Sequence, residues 1–285
     1  MTVRSFIDSA VDSLSPLYDA AEAKAVALRL LEAFDGRPSY KYIAEPYTEL
    51  REDDEKVSQM CAALDELCTG RPLQYVLGYA EFCGHRFKVR EGCLIPRPET
   101  EELVNKVMDA CAGREIGDEG FNILDICTGS GCIAYSLAYE FPEAMVYGCD
   151  VSNEALSIAC RQRIKLKGAS PVIFFSDVLQ APPAGLPMFD VIVSNPPYIA
   201  EEEKSQMRTN VLDYEPSMAL FVPDDNPLLF YKAIARWADT LLRPGGTLFL
   251  EINERFGCET ASLFPGSQVF KDINGKDRFV VWNKE

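Results

Sequence analysis

Val191-Ile192-Val193-Ser194 has the makings of a short apolar strand, and it runs directly into Asn195-Pro196-Pro197-Tyr198. Pro196 and Pro197 lack backbone N–H groups and have nearly fixed φ. A hydrogen-bonded ladder therefore cannot continue through them, and their carbonyls face outward with little freedom. Asn195 adds a side-chain carbonyl, and with the main-chain carbonyl of Pro196 it could accept both hydrogens of one planar NH₂ group. Tyr198 offers a flat face for such a group to lie on. The bland reading is that Pro-Pro ends a strand and Asn caps a turn. A bare tetrapeptide supports either reading, so the rest of the chain has to decide.

A second stretch carries chemistry of a different kind. Phe121 to Cys127 is apolar enough for a strand, Thr128-Gly129-Ser130-Gly131 follows, and Cys132 to Glu140 has helical character. Glycines in a β-turn-α unit let the backbone approach a ligand closely. Taken alone, Gly129-x-Gly131-x-x-Ala134 also matches the dinucleotide fingerprint. The next strand, Ala144 to Cys149, ends at Asp150, about twenty positions beyond the glycines, where an acid would meet a ribose diol. Asp150 might equally cap the helix beginning near Asn153. A third strand, Pro171 to Phe175, leads to Asp177 and Val178. Asp177 can accept from an exocyclic adenine amine while Val178 packs on the ring, and a plain turn residue is the competing reading. Together these residues point to an adenosine-containing cofactor.

The elements that must position these residues alternate strand, helix and strand. The sheet should therefore be mostly parallel, with its ligand site at the strands' C-terminal ends. Residues 1 to about 80 have helical spacing, as in Ala23 to Phe34, which Asp35-Gly36-Arg37-Pro38 stops. A further helix is expected from Thr48 to Thr69-Gly70. Its charged start, Glu49, Arg51, Glu52, Asp53, Asp54, Glu55 and Lys56, is most simply a solvated face. Tyr79 to Ile95 suggests a hairpin turning at Glu91-Gly92, with His85 at a turn or surface, and Pro98 can open the next helix with glutamates behind it. A sharper reading puts Arg97 and Glu99 at the mouth of the cofactor cleft. The helix from Asn153 should reach about Lys167, and Ala200 to Leu220 should be loop and short helix folding over the acceptor. A helix from Asn226 should close at Arg243-Pro244-Gly245-Gly246, and Thr247 to Ile252 should be a fifth strand ending with Glu251. Ser267 to Ile273 and Arg278 to Trp282 read as an antiparallel edge pair.

Composition narrows the class. With 285 residues and 47% hydrophobic content, the chain can fill a real core as one large domain or as a small domain plus a larger one. A net charge of −16 disfavours a partner held through phosphate contacts, so no direct sequence-specific nucleic-acid partner is expected. The ten cysteines form no C-x-x-C pair and have only His85 beside them to build a metal site, which argues for reduced thiols and no metal. The amino terminus has no apolar signal core, and no run approaches the ~18 residues of a membrane helix. A cytoplasmic protein with no membrane partner is expected.

Asn195-Pro196-Pro197-Tyr198 resembles the active-site motif of methyltransferases that act on amino nitrogens conjugated to a π system: adenine, cytosine or a glutamine amide. Such a nitrogen is a poor nucleophile, and two acceptors holding its hydrogens would aim its lone pair at an incoming methyl. Four other stretches accompany it in order: Pro72 to Gly78 with Glu81-Phe82, Leu94 to Glu101, Leu124 to Gly131, and Tyr214-Glu215-Pro216. With these, nearly the full length resembles the release-factor glutamine methyltransferases. Two departures are Cys127, where the family's usual glycine begins the loop, and Val178, where some members carry an aromatic ring.

The resemblance implies a Rossmann-like class I S-adenosylmethionine-dependent methyltransferase fold, α/β with a mostly parallel seven-stranded sheet and an antiparallel C-terminal edge. It implies a small helical substrate-recognition domain over residues 1–78, a hairpin linker over 79–97 and the methyltransferase domain over 98–285. The implied reaction methylates the glutamine of the Gly-Gly-Gln motif in peptide chain release factors, by a chain expected to be monomeric. Cys127, Thr128, Gly129, Ser130 and Gly131 would line the methionine part of the cofactor, Asp150 the ribose, and Asp177 with Val178 the adenine. Asn195, which also borders the cofactor, and Pro196 would hold the amide, with Pro197 stiffening the turn and Tyr198 packing on the amide plane. Rivals are a ribosomal-protein glutamine methyltransferase, a nucleic-acid amino methyltransferase and a catalytically silent scaffold.

Overall fold

The computed structural model describes residues 1–51, 55–113 and 120–285. By contact the chain divides into two units, one of Met1–Gly78 with Arg208–Tyr214, the other of Tyr79–Met207 with Glu215–Glu285. In the first unit, Thr2 and Ser5 reciprocally cap α1 (Val3–Leu14), and the Asp19 carboxylate accepts from Ala21 N and Glu22 N to start α2 (Ala20–Asp35). Gly36, at φ 83°, ends α2, as its sequence context leads one to expect. Then come α3 (Ser39–Ala44), α4 (Glu55–Cys68) and α5 (Leu73–Leu77). Phe6, Leu14, Leu30, Leu31, Met60 and Leu67 share its core.

The helix expected to begin near Thr48 does not begin there. Glu49 bridges Thr2 in antiparallel fashion, Val3 N donates to Thr48 O at 2.9 Å and Leu50 N donates to Met1 O at 2.8 Å. Those backbone groups are committed to the amino terminus, and the helix is described only from Glu55. Glu52, Asp53 and Asp54 of the charged run lie outside the described residues.

The second unit opens with a hairpin, β1 (Tyr79–Phe82) and β2 (His85–Lys88). It turns at Cys83 and Gly84, with φ of 45° and 73°, and not at Glu91-Gly92, while 93–95 form no strand. Two successive left-handed residues suit a two-residue hairpin turn. His85 packs edge-on against Tyr139 at 4.4 Å. The hairpin is no free linker, since Phe82 and Phe87 are buried in this unit's core.

In chain order follow α6 (Pro98–Cys111), β3 (Phe121–Ile126), α7 (Cys132–Glu140), β4 (Ala144–Asp150), α8 (Asn153–Ala159), β5 (Val172–Phe175) and β6 (Phe189–Ser194). Next are β7 (Ile199–Ala200), α9 (Thr209–Tyr214, part of the helical unit), α10 (Ser217–Leu220) and β8 (Phe221–Val222). The chain closes with α11 (Leu229–Leu241), β9 (Leu242–Glu251), α12 (Gly257–Ser262), β10 (Gln268–Lys271) and β11 (Asp277–Asn283). The main sheet has the order β10-β11-β9-β6-β3-β4-β5; β9 to β5 run parallel, and β11 is antiparallel to both its neighbours.

Every residue of β3 and β6 is buried, because helices cover both faces. The period of two still shows: Ile123, Val191 and Val193 face the core shared with α6 and α7, while Leu124, Ile126 and Ile192 face Ile234, Trp237 and Leu241 of α11.

Two other boundaries differ from expectation. Helix α8 stops at Ala159 because Gln162 folds inward, its Nε2 donating to Ser130 O at 2.9 Å and its Oε1 accepting from Lys88 N at 2.8 Å. The Arg243-Pro244-Gly245-Gly246 stretch closes the helix and is itself the start of β9, held by Gly245 N donating to Lys284 O at 2.7 Å. Lys284 Nζ in turn donates to Asp239 O at 2.6 Å and Leu242 O at 2.8 Å, satisfying carbonyls at the end of α11. Replacing Lys284 by Met is expected to lower unfolding free energy by about 1 kcal/mol. Urea denaturation of the two proteins checks this. No helix among the described residues is long and apolar enough to cross a membrane.

Candidate active site

Parallel strands send their carboxyl ends to one edge, and there β3, β4, β5 and β6 deliver their loops to a single cavity of ≈ 410 Å³. Its floor is the turn after β3. Cys127 (φ 61°), Gly129 (φ 55°) and Gly131 (φ 81°) are all left-handed. The conformation that favours glycine at position 127 is thus kept by a cysteine, at a cost of about 1–2 kcal/mol. It is held there by Thr128, whose N donates to Cys149 O at 2.9 Å and whose hydroxyl donates to Asp125 Oδ2 at 2.5 Å. A side chain on Gly131 would meet Tyr135 at 3.1 Å and Ala159 at 3.3 Å. Gly131 therefore serves the packing of α7, and unlike Cys127, Thr128, Gly129 and Ser130 it is not in the cavity wall.

Asp125 is fully buried, and burial pushes its carboxyl up to about 7 against the opposing bonds from Thr128 and Ala134 N. Between the unfolded value and about pH 7 the folded chain holds a proton that the unfolded chain has lost, so stability falls as pH rises through that window. An Asp125→Asn protein cannot ionise there. Its stability relative to the parent should improve between pH 5 and pH 8 by on the order of 2 kcal/mol. Denaturant titrations at the two pH values would show it, and a constant difference would count against the buried charge.

Asp150 ends β4 in the cavity wall, its Oδ2 accepting from Gly129 N and its Oδ1 from Ser152 N, both at 2.9 Å. Burial raises its pKa, and those same N–H groups oppose the rise. Asp177 also lines the cavity and turns its Oδ1 to Leu179 N at 2.9 Å, beside the buried Val178. Cys93, Cys127, Cys132 and Cys149 share the wall, and burial raises all four thiols, Cys93 to about 12. The ten cysteines are outside any disulfide, and these four are packing groups.

Asn195 projects from the end of β6 into the same wall, with Pro197 beside it. Its Nδ2 donates to Thr100 Oγ1 at 2.9 Å, and Thr100 Oγ1 donates to Glu251 Oε2 at 2.7 Å. Glu251 is fully buried at the end of β9, and burial pushes its carboxyl up to about 6. Tyr198 is placed differently from the expectation that it faces the substrate. Its hydroxyl donates to Glu251 Oε1 at 2.9 Å, its ring packs on the core beside α11, and neither it nor Pro196 is in the cavity wall. A long side chain four residues past the strand end packs with the apolar neighbours of that core.

Sequence reasoning passed over several residues that the fold brings here. Thr100 and Asp125 had no motif of their own, although each lay inside a quoted stretch. Glu251 was seen only as a strand end, the same signal that picked out Asp150. Glu215, in Tyr214-Glu215-Pro216, accepts from Ile95 N at 3.0 Å and from Arg97 Nη2 at 2.5 Å, fastening the segment that forms one rim. Arg97 is in the wall as expected, and Glu99 is not.

The wall suits an adenosine-bearing cofactor. Asp150 keeps lone pairs beyond its bonds to Gly129 N and Ser152 N for a diol, a side chain on Gly129 would meet nothing nearer than Cys93 Sγ at 3.9 Å, and Val178, Leu179 and Phe230 supply an apolar slot. The volume lies in the ordinary range for such ligands, roughly 300–1,000 Å³.

Known proteins resemble this chain over most of its length. The family described as the Methyltransferase small domain matches residues 107–213. A release factor glutamine methyltransferase of Bacteroides thetaiotaomicron is 46% identical over 218 residues, covering 75% of this chain and 76% of the relative. One from Flavobacterium psychrophilum is 38% identical over 289 residues, covering 99% of each chain. A solved methyltransferase from Pyrococcus furiosus superposes with TM-score 0.46 at 18% identity, over 70% of this chain and 89% of that one. The sheet with its antiparallel edge is the Rossmann-like class I methyltransferase fold, and S-adenosylmethionine is its cofactor. With identity of this level running through both units, the chain belongs to the release factor glutamine methyltransferase family.

Proposed function

We propose that this protein methylates the side-chain amide nitrogen of the glutamine in the Gly-Gly-Gln motif of peptide chain release factors, acting as a monomer in the cytoplasm. The observation that carries the reading is the placement of Asn195 in one cavity wall with the glycine loop, Asp150 and Asp177. Its Nδ2 is committed to Thr100, so Oδ1 is the atom left to receive an N–H of the substrate. Asn195 Oδ1 holds one amide hydrogen, keeps electron density on nitrogen and orients its lone pair, while the Pro196 carbonyl, expected as the second acceptor, lies outside the cavity wall. Bound S-adenosylmethionine supplies an electrophilic methyl on a positively charged sulfur. Cys127 to Ser130 border its methionine part, Asp150 the ribose, and Asp177 with Val178 the base. No strong base is required of the chain: a methylated amide nitrogen is acidic enough to lose its proton to one of these acceptors or to water. Tyr198 is better read as the anchor that holds the Pro-Pro turn to Glu251 than as a stacking face.

The helical unit over residues 1–78 is assigned recognition of the release factor, which exposed Tyr40, Ile43 and Tyr47 on that unit support. The net charge of −16 favours a protein substrate over DNA or RNA. Incubating the enzyme with labelled cofactor and, separately, release factor, DNA and RNA tests the assignment. The expected result is one added methyl on the Gly-Gly-Gln glutamine, located by mass spectrometry, and label in nucleic acid instead would overturn it.

A further inference from the structure

We infer that Thr100 and Glu251 set which end of the Asn195 carboxamide faces the cavity, through a directed chain of hydrogen bonds leading from the sheet core to the substrate nitrogen. The inference rests on the role given to Asn195 above and deepens it. An ionised carboxylate only accepts, and Glu251 takes one hydrogen on each oxygen, from Thr100 at 2.7 Å and from Tyr198 at 2.9 Å. A threonine hydroxyl has a single hydrogen. Once it is given to Glu251, Thr100 offers Asn195 only lone pairs, and of the two ends of the carboxamide only Nδ2 can use them, at 2.9 Å. The reversed amide would set oxygen against oxygen with no hydrogen between them. The orientation that leaves Oδ1 for the substrate is therefore dictated two residues away, by a charge that never touches the substrate.

The groups around Glu251 bear on whether that charge is present. Tyr198 and Tyr231 face it as hydroxyls, Arg278 lies near as a cation itself bonded to Asp272 at 3.1 Å, and Glu99 opposes it as a second anion. Burial outweighs the cation and places its titration near pH 6. Protonated Glu251 has a hydrogen of its own to give to Thr100. Thr100 can then donate to Asn195 Oδ1, the carboxamide is free to turn over, and NH₂ meets the substrate NH₂. Acid should thus switch off transfer without emptying the cofactor site.

The test uses the full-length protein in two arms. In the first, single-turnover methylation of a release factor is measured for the parent and for Thr100→Val, Thr100→Ser and Glu251→Gln. Thr100→Val keeps the side-chain shape and is expected to slow transfer about tenfold to hundredfold, with cofactor affinity and KM for the release factor within about threefold. Thr100→Ser, which restores the hydroxyl, should recover the parent rate to within about threefold. Glu251→Gln should be slow at every pH, where the parent loses rate only as pH falls through about 6. A purely structural role would instead show as a lowered melting temperature and a fall that serine and valine share. In the second arm, asparagine is ¹⁵N-labelled and the Asn195 carboxamide signal is identified by its loss in Asn195→Ala. That signal should move in Thr100→Val, return in Thr100→Ser, and titrate near pH 6 in the parent and Thr100→Ser but not in Thr100→Val or Glu251→Gln.

A parent-like rate in Thr100→Val, or an Asn195 signal indifferent to Thr100 and Glu251, would overturn the inference. Should the parent enzyme leave the release factor unmethylated, the proposed function fails and the second arm still decides this point. Should Asn195→Ala be inactive while Thr100→Val is fully active, only the present inference fails.

Discussion

Asn195→Ala should lower the single-turnover rate of methyl transfer by ~10² or more, as deletion of a positioned polar group does, while cofactor affinity stays within about threefold. The side chain sits at the end of β6, where Ser194 Oγ donates to Ile126 O at 2.6 Å and locks the strand end to β3. Pro196 and Pro197 follow with fixed φ, so little else moves when the carboxamide is removed. What is lost is an acceptor that localises electron density on the reacting nitrogen. That contribution exists only along the path to methyl transfer, so it appears in the rate and not in binding of the cofactor. Rapid-quench transfer to a release factor, with calorimetric binding of the nucleoside product alongside, measures both quantities. Undiminished transfer in the variant would remove Asn195 from the reaction.

The second large effect is expected at Asp150. Asp150→Ala should weaken cofactor binding roughly hundredfold, equivalent to about 2.8 kcal/mol, with kcat at saturating cofactor within a few-fold of the parent. Two losses add. The ribose loses its acceptor, and the N–H groups of Gly129 and Ser152, now 2.9 Å from the carboxylate, lose theirs, so the glycine loop is less well held for its ligand. Burial already raises the Asp150 carboxyl, so its charge does little for the stability of the empty fold. The substitution should accordingly leave the melting temperature of the free enzyme nearly unchanged. Unaltered affinity for the nucleoside product would mean that the ribose is held elsewhere. The two variants are complementary, since Asn195→Ala acts on the rate at full occupancy and Asp150→Ala on occupancy itself.

The parallel sheet and its antiparallel edge were legible in the chain because β3, β4 and β6 are mostly apolar runs between turn residues, and Asn274-Gly275 marks the last hairpin. Boundaries set by distant partners were not. The Thr48 region looks helical by local spacing but pairs with the amino terminus, and α8 ends early because Gln162 is drawn toward Lys88 and Ser130, far away in sequence. Cys83 gave no turn signal, since only its φ of 45° in the fold shows a cysteine in a conformation normally left to glycine.

For the site, local chemistry sufficed wherever a residue acts through its own strand end: Asp150, Asp177, the glycine loop and Asn195 all terminate parallel strands, and a parallel sheet must bring such termini to one edge. Spacing along the chain could not reveal that Thr100 of α6 and Glu251 of β9 meet behind Asn195, nor that Tyr198 turns toward that carboxylate. Those contacts span 151, 95 and 53 residues; packing α6 against the sheet decides the first two, and the pairing of β6 with β9 decides the third. Residue types and strand order thus determined which groups could react, and tertiary packing decided which way they point, because a hydrogen bond's direction depends on partners that the linear order does not bring together.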